Sequence, residues 1–326
     1  MLEATCYEPV FSPRRGRILG CHAPTLTALP DGSFLCAWFG GPEGSARSAI
    51  FVARRGPEGW APPERVADVG PAPHWNPVLF VDGDTVYLFF KVGAEPWCWE
   101  TYWTSRPVAD PHGWREATPL VPGDVGGRGP VKNKPLRLDD GSWLAPASVE
   151  GQDIEEEGDG PWDCFVDRSG DRGASWDRAD FVARPPGVRI IQPSLWHTPS
   201  GIHMLARSNA GCLFRSDSVD GGRTWSAAAP TEIPNNNSGI DLAPLPSGAL
   251  ALVYNPIAVS FGRRTPLDVA LSPDGGDTFV PTLRLEDEPG EYSYPAVVST
   301  PDGIAIAYTW RRRTIAFCLL AEVPAE

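Results

Sequence analysis

A tight turn built on glycine recurs six times and constrains the fold of this chain more than any other feature. The turn glycines lie 51, 58, 60, 47 and 55 residues apart, at Gly32, Gly83, Gly141, Gly201, Gly248 and Gly303. Apolar, strand-like runs flank each turn, as in TLTALPDGSFLCAWFG and AVVSTPDGIAIAYTW, and this is the pattern of a β-hairpin. A unit of about fifty residues cannot bury both faces of its sheet alone, so neighbouring units must stack.

Closure of such units around an axis removes long exposed sheet edges. We therefore predict an all-β fold, a six-bladed β-propeller with four-stranded antiparallel blades, formed as a single domain by residues 1–326. The last unit ends at IAFCLLAE with room for only three strands, whereas the strand-like segment ATCYEPVF precedes the first unit. We expect this N-terminal strand to complete the last blade and close the ring.

The charge of the chain limits its partners. Its formal net charge of −13 opposes binding to nucleic acid or to an anionic membrane, because both need clustered cations. The N-terminus lacks the apolar run of a signal peptide, and the seven cysteines form no CxxC pair, so we expect a cytoplasmic protein with reduced thiols. Without a phosphate loop, a dinucleotide fingerprint or a Cys/His metal spacing, we expect no organic cofactor and assign no metal ligands, while the sequence leaves a bound metal open.

A second motif occurs three times in phase with the glycine turns. It reads SGDRGASW, SVDGGRTW and SPDGGDTF, and its first serines (Ser169, Ser218 and Ser272) are 49 and 54 residues apart. Short Asp and Ser side chains bond local backbone groups in tight turns, and the final aromatic residue packs between sheets. We therefore give this motif a structural role.

The glycine turns, this second motif and the number of units resemble the sialidase superfamily. The propellers of that superfamily carry the same motif, which is called the Asp-box or BNR repeat. The segments GCHAPTLTALPDG, AWFGG, WNPVLF, GPVKNKP, NNNSGID and EYSYP are similar to a bacterial sialidase-like branch. The resemblance implies three arginines that bind the substrate carboxylate, a tyrosine nucleophile with a glutamate partner, and an aspartate acid/base. A guanidinium matches a planar carboxylate bidentately, and a neighbouring base activates a phenol.

The family pattern matches this chain only in part. Arg207 and Arg264 match the second and third arginines, Tyr292 matches the nucleophile, and His22 stands in place of the first arginine. The expected glutamate position holds Leu195. The place of the acid/base aspartate falls near Arg47. The chain therefore departs from a typical sialidase at both carboxylates.

Other polar residues at the starts of inner strands supply further candidates. His22 is a candidate general acid or base because imidazole titrates near neutral pH, and Glu150 and Asp241 are candidate carboxylates. Lys132 and Lys134 would share one face in a strand, whereas the run 311–313 reads as a solvated turn. The remaining expected substrate-binding residues are Gln192, Asn237, Trp38, Trp75 and Tyr294.

Three functions fit this set of residues. The first is a glycoside hydrolase that removes an acidic sugar, sialic or uronic, from a small-molecule or oligosaccharide substrate. The second is a polysaccharide or oligosaccharide lyase, since β-elimination needs a His or Tyr base but no paired carboxylates. The third is a non-catalytic sugar-binding propeller, since one fold carries many functions.

Overall fold

The computed structural model describes residues 1–12, 20–151 and 162–324. In this part of the chain the regular structure is almost wholly β, with 25 strands and one short 3₁₀ helix at Pro96–Cys98. None of the helical structure in the described ranges is long and apolar enough to cross a membrane.

The strands form six antiparallel sheets that follow one another along the chain. Blades one to three consist of Cys21–Ala28, Phe34–Gly40, Ala49–Gly56, Gly59–Trp60 and Glu64–Ala67; His74–Asp82, Thr85–Val92, Glu100–Pro107 and Thr118–Pro119; and Leu136–Arg137, Trp143–Glu150, Trp162–Ser169 and Asp177–Arg178. Blades four to six consist of Ile190–Thr198, Gly201–Ser208, Cys212–Ser218 and Ala229–Pro234; Asp241–Pro244, Leu250–Tyr254, Leu267–Ser272 and Val280–Glu286; and Tyr292–Thr300, Gly303–Trp310, Thr314–Glu322 and Leu2–Pro9.

The six-bladed propeller predicted from the repeat is confirmed, and so is the way in which its ring closes. The N-terminal strand Leu2–Pro9 pairs antiparallel with Thr314–Glu322 as the outer strand of blade six. The Met1 amino group donates a hydrogen bond of 2.7 Å to the carbonyl oxygen of Val323. Apolar layers fill the spaces between blades, and one of them joins blade one to blade six.

The three box motifs form local turns at the end of the third strand in blades three, four and five, as their composition predicts. In the first box the Gly173 N–H donates to Ser169 Oγ at 2.7 Å, and the Ser175 N–H donates to Asp171 Oδ1 at 2.8 Å. The other two boxes repeat these contacts. Trp176 packs 6.3 Å from Trp143, so the motif holds a turn and fills the space beside it.

A left-handed residue lies near the start of the inner strand in each blade, either as the third residue of the strand or four residues before it. These residues are Ala23, Asn76, Lys132, Gln192, Asn237 and Tyr294, with φ angles of 49°, 40°, 68°, 52°, 59° and 55°. In four blades the strand register shifts at this point, as at a β-bulge. A bulge redirects a side chain, and non-glycine residues seldom adopt this conformation without a functional or structural reason. Four of the six were predicted as site residues.

Candidate functional site

Tyr294 lies at the centre of the group that the structure brings together. Arg207 Nη1 donates a 2.6 Å hydrogen bond to Tyr294 Oη. The guanidinium groups of Arg207 and Arg264 lie 5.6 and 5.3 Å from the centre of the phenol ring. The imidazole of His22 packs 4.3 Å from the same ring, centre to centre. Three predicted residues thus surround one tyrosine.

That tyrosine is not Tyr292, which the family resemblance assigned as the nucleophile. The Tyr292 ring is buried in the apolar layer between blades five and six, and its Oη accepts a 2.8 Å hydrogen bond from Arg311 Nε. In a regular strand Tyr292 and Tyr294 would share a face. The register shift between Ser293 and Ala296 separates them, so that only Tyr294 contacts Arg207. We therefore move the expected role from Tyr292 to Tyr294.

His22 is held as a neutral imidazole. Burial lowers its pKa well below the ordinary value, and the positive charges of Arg312, Arg264, Arg207 and Lys132 lower the pKa further. Its Nδ1 lies 2.9 Å from a threonine hydroxyl of blade six. The neutral ring can accept a proton, but the lowered pKa makes it a weak base, and it does not supply the cation that the first arginine of the family pattern would.

Glu291 belongs to the site although the sequence analysis did not select it. Its Oε1 accepts hydrogen bonds from Arg264 Nη1 at 2.7 Å and from Arg312 Nε at 2.9 Å. Arg312, expected in a solvated turn, is instead half-buried and also pairs with Glu43. The signal for Glu291 was its place directly before the Tyr-Ser pair in EYSYP. The carboxylate orients two arginines.

A chain of hydrogen bonds links Glu150 to the arginine group. Gln192 Nε2 donates to Glu150 Oε1 at 3.1 Å, and Arg207 Nη1 donates to Gln192 Oε1 at 3.2 Å. Burial raises the pKa of Glu150, although Arg207 partly opposes this shift. Arg207 Nε is buried and has no hydrogen-bond partner among the described residues. The site therefore combines a carboxyl that binds its proton more tightly than an ordinary glutamate does and an unused guanidinium donor.

The raised pKa of Glu150 has a consequence for stability that can be measured. The folded state binds this proton more tightly than the unfolded chain does, so the carboxyl opposes folding increasingly as pH rises above the unfolded-state value near 4.5. We expect Glu150→Gln to raise the melting temperature relative to the unsubstituted protein at pH 8 and to change it little at pH 4. Differential scanning calorimetry at both pH values checks this, and an equal shift at both would contradict it.

The two lysines do not lie in a strand and do not share a face, contrary to prediction. Lys132 has a left-handed backbone before the short strand Leu136–Arg137. Its Nζ donates to Asn133 Oδ1 and to the carbonyl oxygens of Ile240 and Pro295. Burial lowers its pKa to about 7, but three acceptors require three protons on nitrogen, so the amine is charged in this arrangement. Lys132 ties blades together rather than facing a ligand.

Asp241, predicted as a catalytic carboxylate, is instead fully bonded inside the ring. Lys134 Nζ donates to both of its oxygens, at 2.9 and 2.8 Å. Ser194 Oγ and the Val297 N–H also donate to them, each at 2.8 Å. With its acceptors occupied, Asp241 has a structural role, and Lys134 is its counter-ion.

The remaining predicted contacts differ in exposure. Trp38 is fully buried and stacks 5.0 Å from Phe11, so it cannot contact a sugar as expected. Trp75 is half-buried, and its Nε1 donates to the carbonyl oxygen of Gly93 at 2.9 Å. Asn237 is buried, and its Oδ1 has no hydrogen-bond partner within the described ranges. Of these three, Asn237 keeps a free acceptor for a ligand hydroxyl.

The described residues contain no cluster of typical metal ligands. No three His, Cys, Asp or Glu side chains converge there. The central group consists of guanidinium, amide, phenol and imidazole side chains, which suit an anionic, hydroxylated ligand.

Comparison with known proteins agrees with this fold. The family model described as a BNR repeat-like domain matches residues 32–306, whereas no curated protein matches the sequence. Among solved structures, a protein of unknown function from Dyadobacter fermentans superposes with a TM-score of 0.80 at 14% identity, and the match covers 99% of each chain. A Hadza microbial sialidase superposes with a TM-score of 0.77 at 16% identity, over 97% of this chain and 68% of the other.

The sialidase of Trypanosoma rangeli, in complex with the inhibitor DANA, superposes with a TM-score of 0.72 at 13% identity. The match covers 92% of this chain but 55% of that enzyme, so the present chain corresponds to about half of its length. At such identities the structural likeness establishes the fold alone. The family match over residues 32–306 shows that this protein belongs to the BNR repeat-like domain family.

Proposed function

We propose that this protein is a glycoside hydrolase that removes an acidic sugar and binds its carboxylate through Arg207 and Arg264. The observation that carries the proposal is the convergence of two guanidinium groups on one buried phenol, in a chain whose net charge is −13. The net negative charge of the chain gives no general reason for two neighbouring guanidinium groups, so a specific anionic ligand is their natural partner. The unpartnered Arg207 Nε offers a donor to a carboxylate oxygen.

The chemistry uses three further side chains. Tyr294 Oη attacks the anomeric carbon, the glycosidic C–O bond breaks, and the leaving oxygen takes the proton of Glu150. Neutral His22, which packs on the Tyr294 ring, accepts the phenol proton. Water then displaces Tyr294 from the sugar and gives its proton to Glu150, while His22 returns its proton to the phenolate. The raised pKa of Glu150 favours the first proton transfer.

One observation also favours a lyase. A neutral imidazole beside a phenol suits abstraction of the proton next to a uronate carboxylate, with the arginines neutralising that carboxylate. Elimination leaves an unsaturated uronate that absorbs in the ultraviolet, whereas the products of hydrolysis contain no such double bond. The same incubation therefore separates the two reactions.

Arg207→Met tests the proposal directly. Purified protein is incubated with sialic-acid and uronic-acid glycosides, and both reducing sugar and ultraviolet absorbance are followed. We expect release of reducing sugar, with kcat/KM lowered about 10²–10³-fold by Arg207→Met because one preorganised donor is lost. Arg284→Met is the matched control, since that guanidinium pairs with Asp268 on an outer strand of blade five.

Two outcomes would contradict hydrolysis. Ultraviolet absorbance from an unsaturated product, in place of a saturated hydrolysis product, would indicate the lyase. Tight binding of acidic sugars without turnover, undiminished by Tyr294→Phe, would indicate a non-catalytic sugar-binding propeller.

A further inference from the structure

A cavity lies between the outer parts of blades four and five. Its volume is about 640 Å³, within the range of about 300–1,000 Å³ that small-molecule pockets occupy. Its walls come from the outer strand Ala229–Pro234 of blade four and from the end of the box motif in blade five, where Gly276 and Phe279 lie. None of the described residues that line it belongs to the arginine group around Tyr294.

The box motif beside this cavity differs from the other two boxes at its last residue. Those boxes end in tryptophan, whose indole Nε1 donates to a glycine carbonyl three positions earlier, Gly173 at 3.1 Å and Gly222 at 3.2 Å. The third box ends in Phe279, which is smaller and has no ring N–H. The corresponding carbonyl of Gly276 accepts a 2.8 Å hydrogen bond from Arg215 Nη1 of blade four instead. The cavity therefore borders the box that lacks an indole.

Tyr254 supplies the cavity with a hydroxyl group that has no partner. The residue ends the second strand of blade five, is 2% exposed and packs in the apolar layer between blades four and five. It also lines the cavity, and its hydroxyl makes no hydrogen bond to any described residue. Because a polar group in a buried side chain is costly to leave unbonded, a ligand that bonds to this hydroxyl is favoured.

The charged side chains of the wall are mostly acidic. Asp217, Glu232 and Asp277 line the cavity together with Arg215. The Arg215 guanidinium already bonds to both aspartates, each at 2.9 Å. Glu232, in contrast, pairs with no residue in the described part of the chain. Three carboxylates beside one guanidinium leave the wall negative, so its charge favours a cationic occupant.

The rest of the wall is apolar and poorly suited to pairing with another strand. Leu205, Ile233 and Phe279 contribute apolar surface. The outer strand of blade four lies at the edge of its sheet, but Pro230 and Pro234 have no N–H to donate to a further strand. A peptide strand would therefore form an incomplete ladder here, whereas a compact ligand with a flat apolar body fits the cavity.

We propose that this cavity is a binding site for a small organic cation, an amine attached to a flat apolar body that carries a hydroxyl group. The ammonium group lies near the carboxylates, the body packs against Ile233 and Phe279, and the hydroxyl bonds to Tyr254. The inference is independent of the proposed hydrolase, because the cavity and the arginine group share none of the residues named for either.

Tyramine is the probe, because it combines an ammonium group, an aromatic ring and a hydroxyl group. Two compounds of similar shape provide the comparison, neutral 4-ethylphenol and anionic 4-hydroxyphenylacetate. Calorimetry measures the binding of each compound to the full chain. We expect saturable binding of tyramine, weaker binding of 4-ethylphenol and the weakest binding of the anion. The affinity for tyramine should fall as the salt concentration rises, because salt screens the carboxylates.

Phe279→Trp introduces the residue that ends the other two boxes. We expect it to abolish tyramine binding, because the larger ring takes space that the ligand needs. Tyr254→Phe should weaken binding about two- to tenfold, the usual effect of one neutral hydrogen bond. Glu232→Gln should weaken it about two- to fivefold, as expected for one exposed charge. Phe261→Trp is the matched control, since Phe261 is 73% exposed and does not line the cavity.

Three outcomes would overturn the site. They are the absence of saturable tyramine binding, equal affinity for the three compounds, and tyramine binding that persists unchanged in both Phe279→Trp and Tyr254→Phe. Thermal unfolding of each variant shows whether it is folded, and Tyr254→Phe tests the site without adding any bulk. Glycoside turnover is measured in parallel. Loss of tyramine binding in Phe279→Trp with unchanged kcat would support a separate site, and tyramine binding without turnover of any glycoside would support it while refuting the hydrolase.

Discussion

Tyr294→Phe is expected to lower kcat on the acidic glycoside by at least about 10³-fold, because removal of a catalytic nucleophile leaves only binding and electrostatic stabilisation. The substitution removes one oxygen and keeps the ring that packs against His22 and the two arginines. Substrate binding should therefore persist. A large loss in kcat with a nearly unchanged dissociation constant for the acidic sugar is the expected result, measured by steady-state kinetics and calorimetry.

Tyr292→Phe is the matched control, two residues away on the same strand. Among the described residues its hydroxyl bonds only to Arg311, so we expect a stability loss of about 1 kcal/mol and a kcat close to that of the unsubstituted protein. The reverse outcome, inactive Tyr292→Phe and active Tyr294→Phe, would restore the assignment that the family resemblance suggested. It would also contradict the arrangement of the site around Tyr294.

The propeller was predictable from sequence because its signal is repeated. Each glycine turn is weak evidence alone, but six turns at a regular spacing, with the box motif in phase, leave few other folds. Arg207, in the second strand of blade four, and Arg264, just before the third strand of blade five, were selected by the family resemblance instead. The repeat places a residue at the axis, but it does not say where its side chain points.

Side-chain direction at the axis is decided by the left-handed residues, and these have no unique sequence signature. Only four of the six precede proline, at Pro24, Pro77, Pro193 and Pro295. The bulge at Ser293 to Ala296 exchanges the expected places of Tyr292 and Tyr294. Alternation along a regular strand therefore misplaces residues here, as it does for Lys132 and Lys134.

Pairs distant in sequence account for the other differences. Lys134 and Asp241 are 107 residues apart, and their ion pair exists only because blades three and five meet at the axis. In a sequence, a structural buried carboxylate cannot be distinguished from a catalytic one, because each is a polar residue at the start of a strand. Only its partners distinguish the two roles, and burial with four hydrogen bonds from three donors assigns Asp241 to the fold.

Asp241→Ala is expected to reduce the free energy of unfolding by about 3–5 kcal/mol, the usual loss when one partner of a buried ion pair is removed. The substitution removes the counter-ion of the Lys134 ammonium. It also leaves the Ser194 hydroxyl and the Val297 N–H without their acceptor. These donors belong to blades three, four and six, while the carboxylate belongs to blade five. Urea unfolding followed by fluorescence measures the loss.

Asp277→Ala is the control for this prediction. Its side chain is 71% exposed and pairs with Arg215 at 2.9 Å, and such a surface ion pair contributes about 0–1 kcal/mol. Because Asp241 joins four blades at the axis, its loss should weaken the ring as a whole and lower the unfolding midpoint in one cooperative transition. A loss from Asp241→Ala no larger than that from Asp277→Ala would show that the blades hold together without this carboxylate, and would reopen a catalytic role for it.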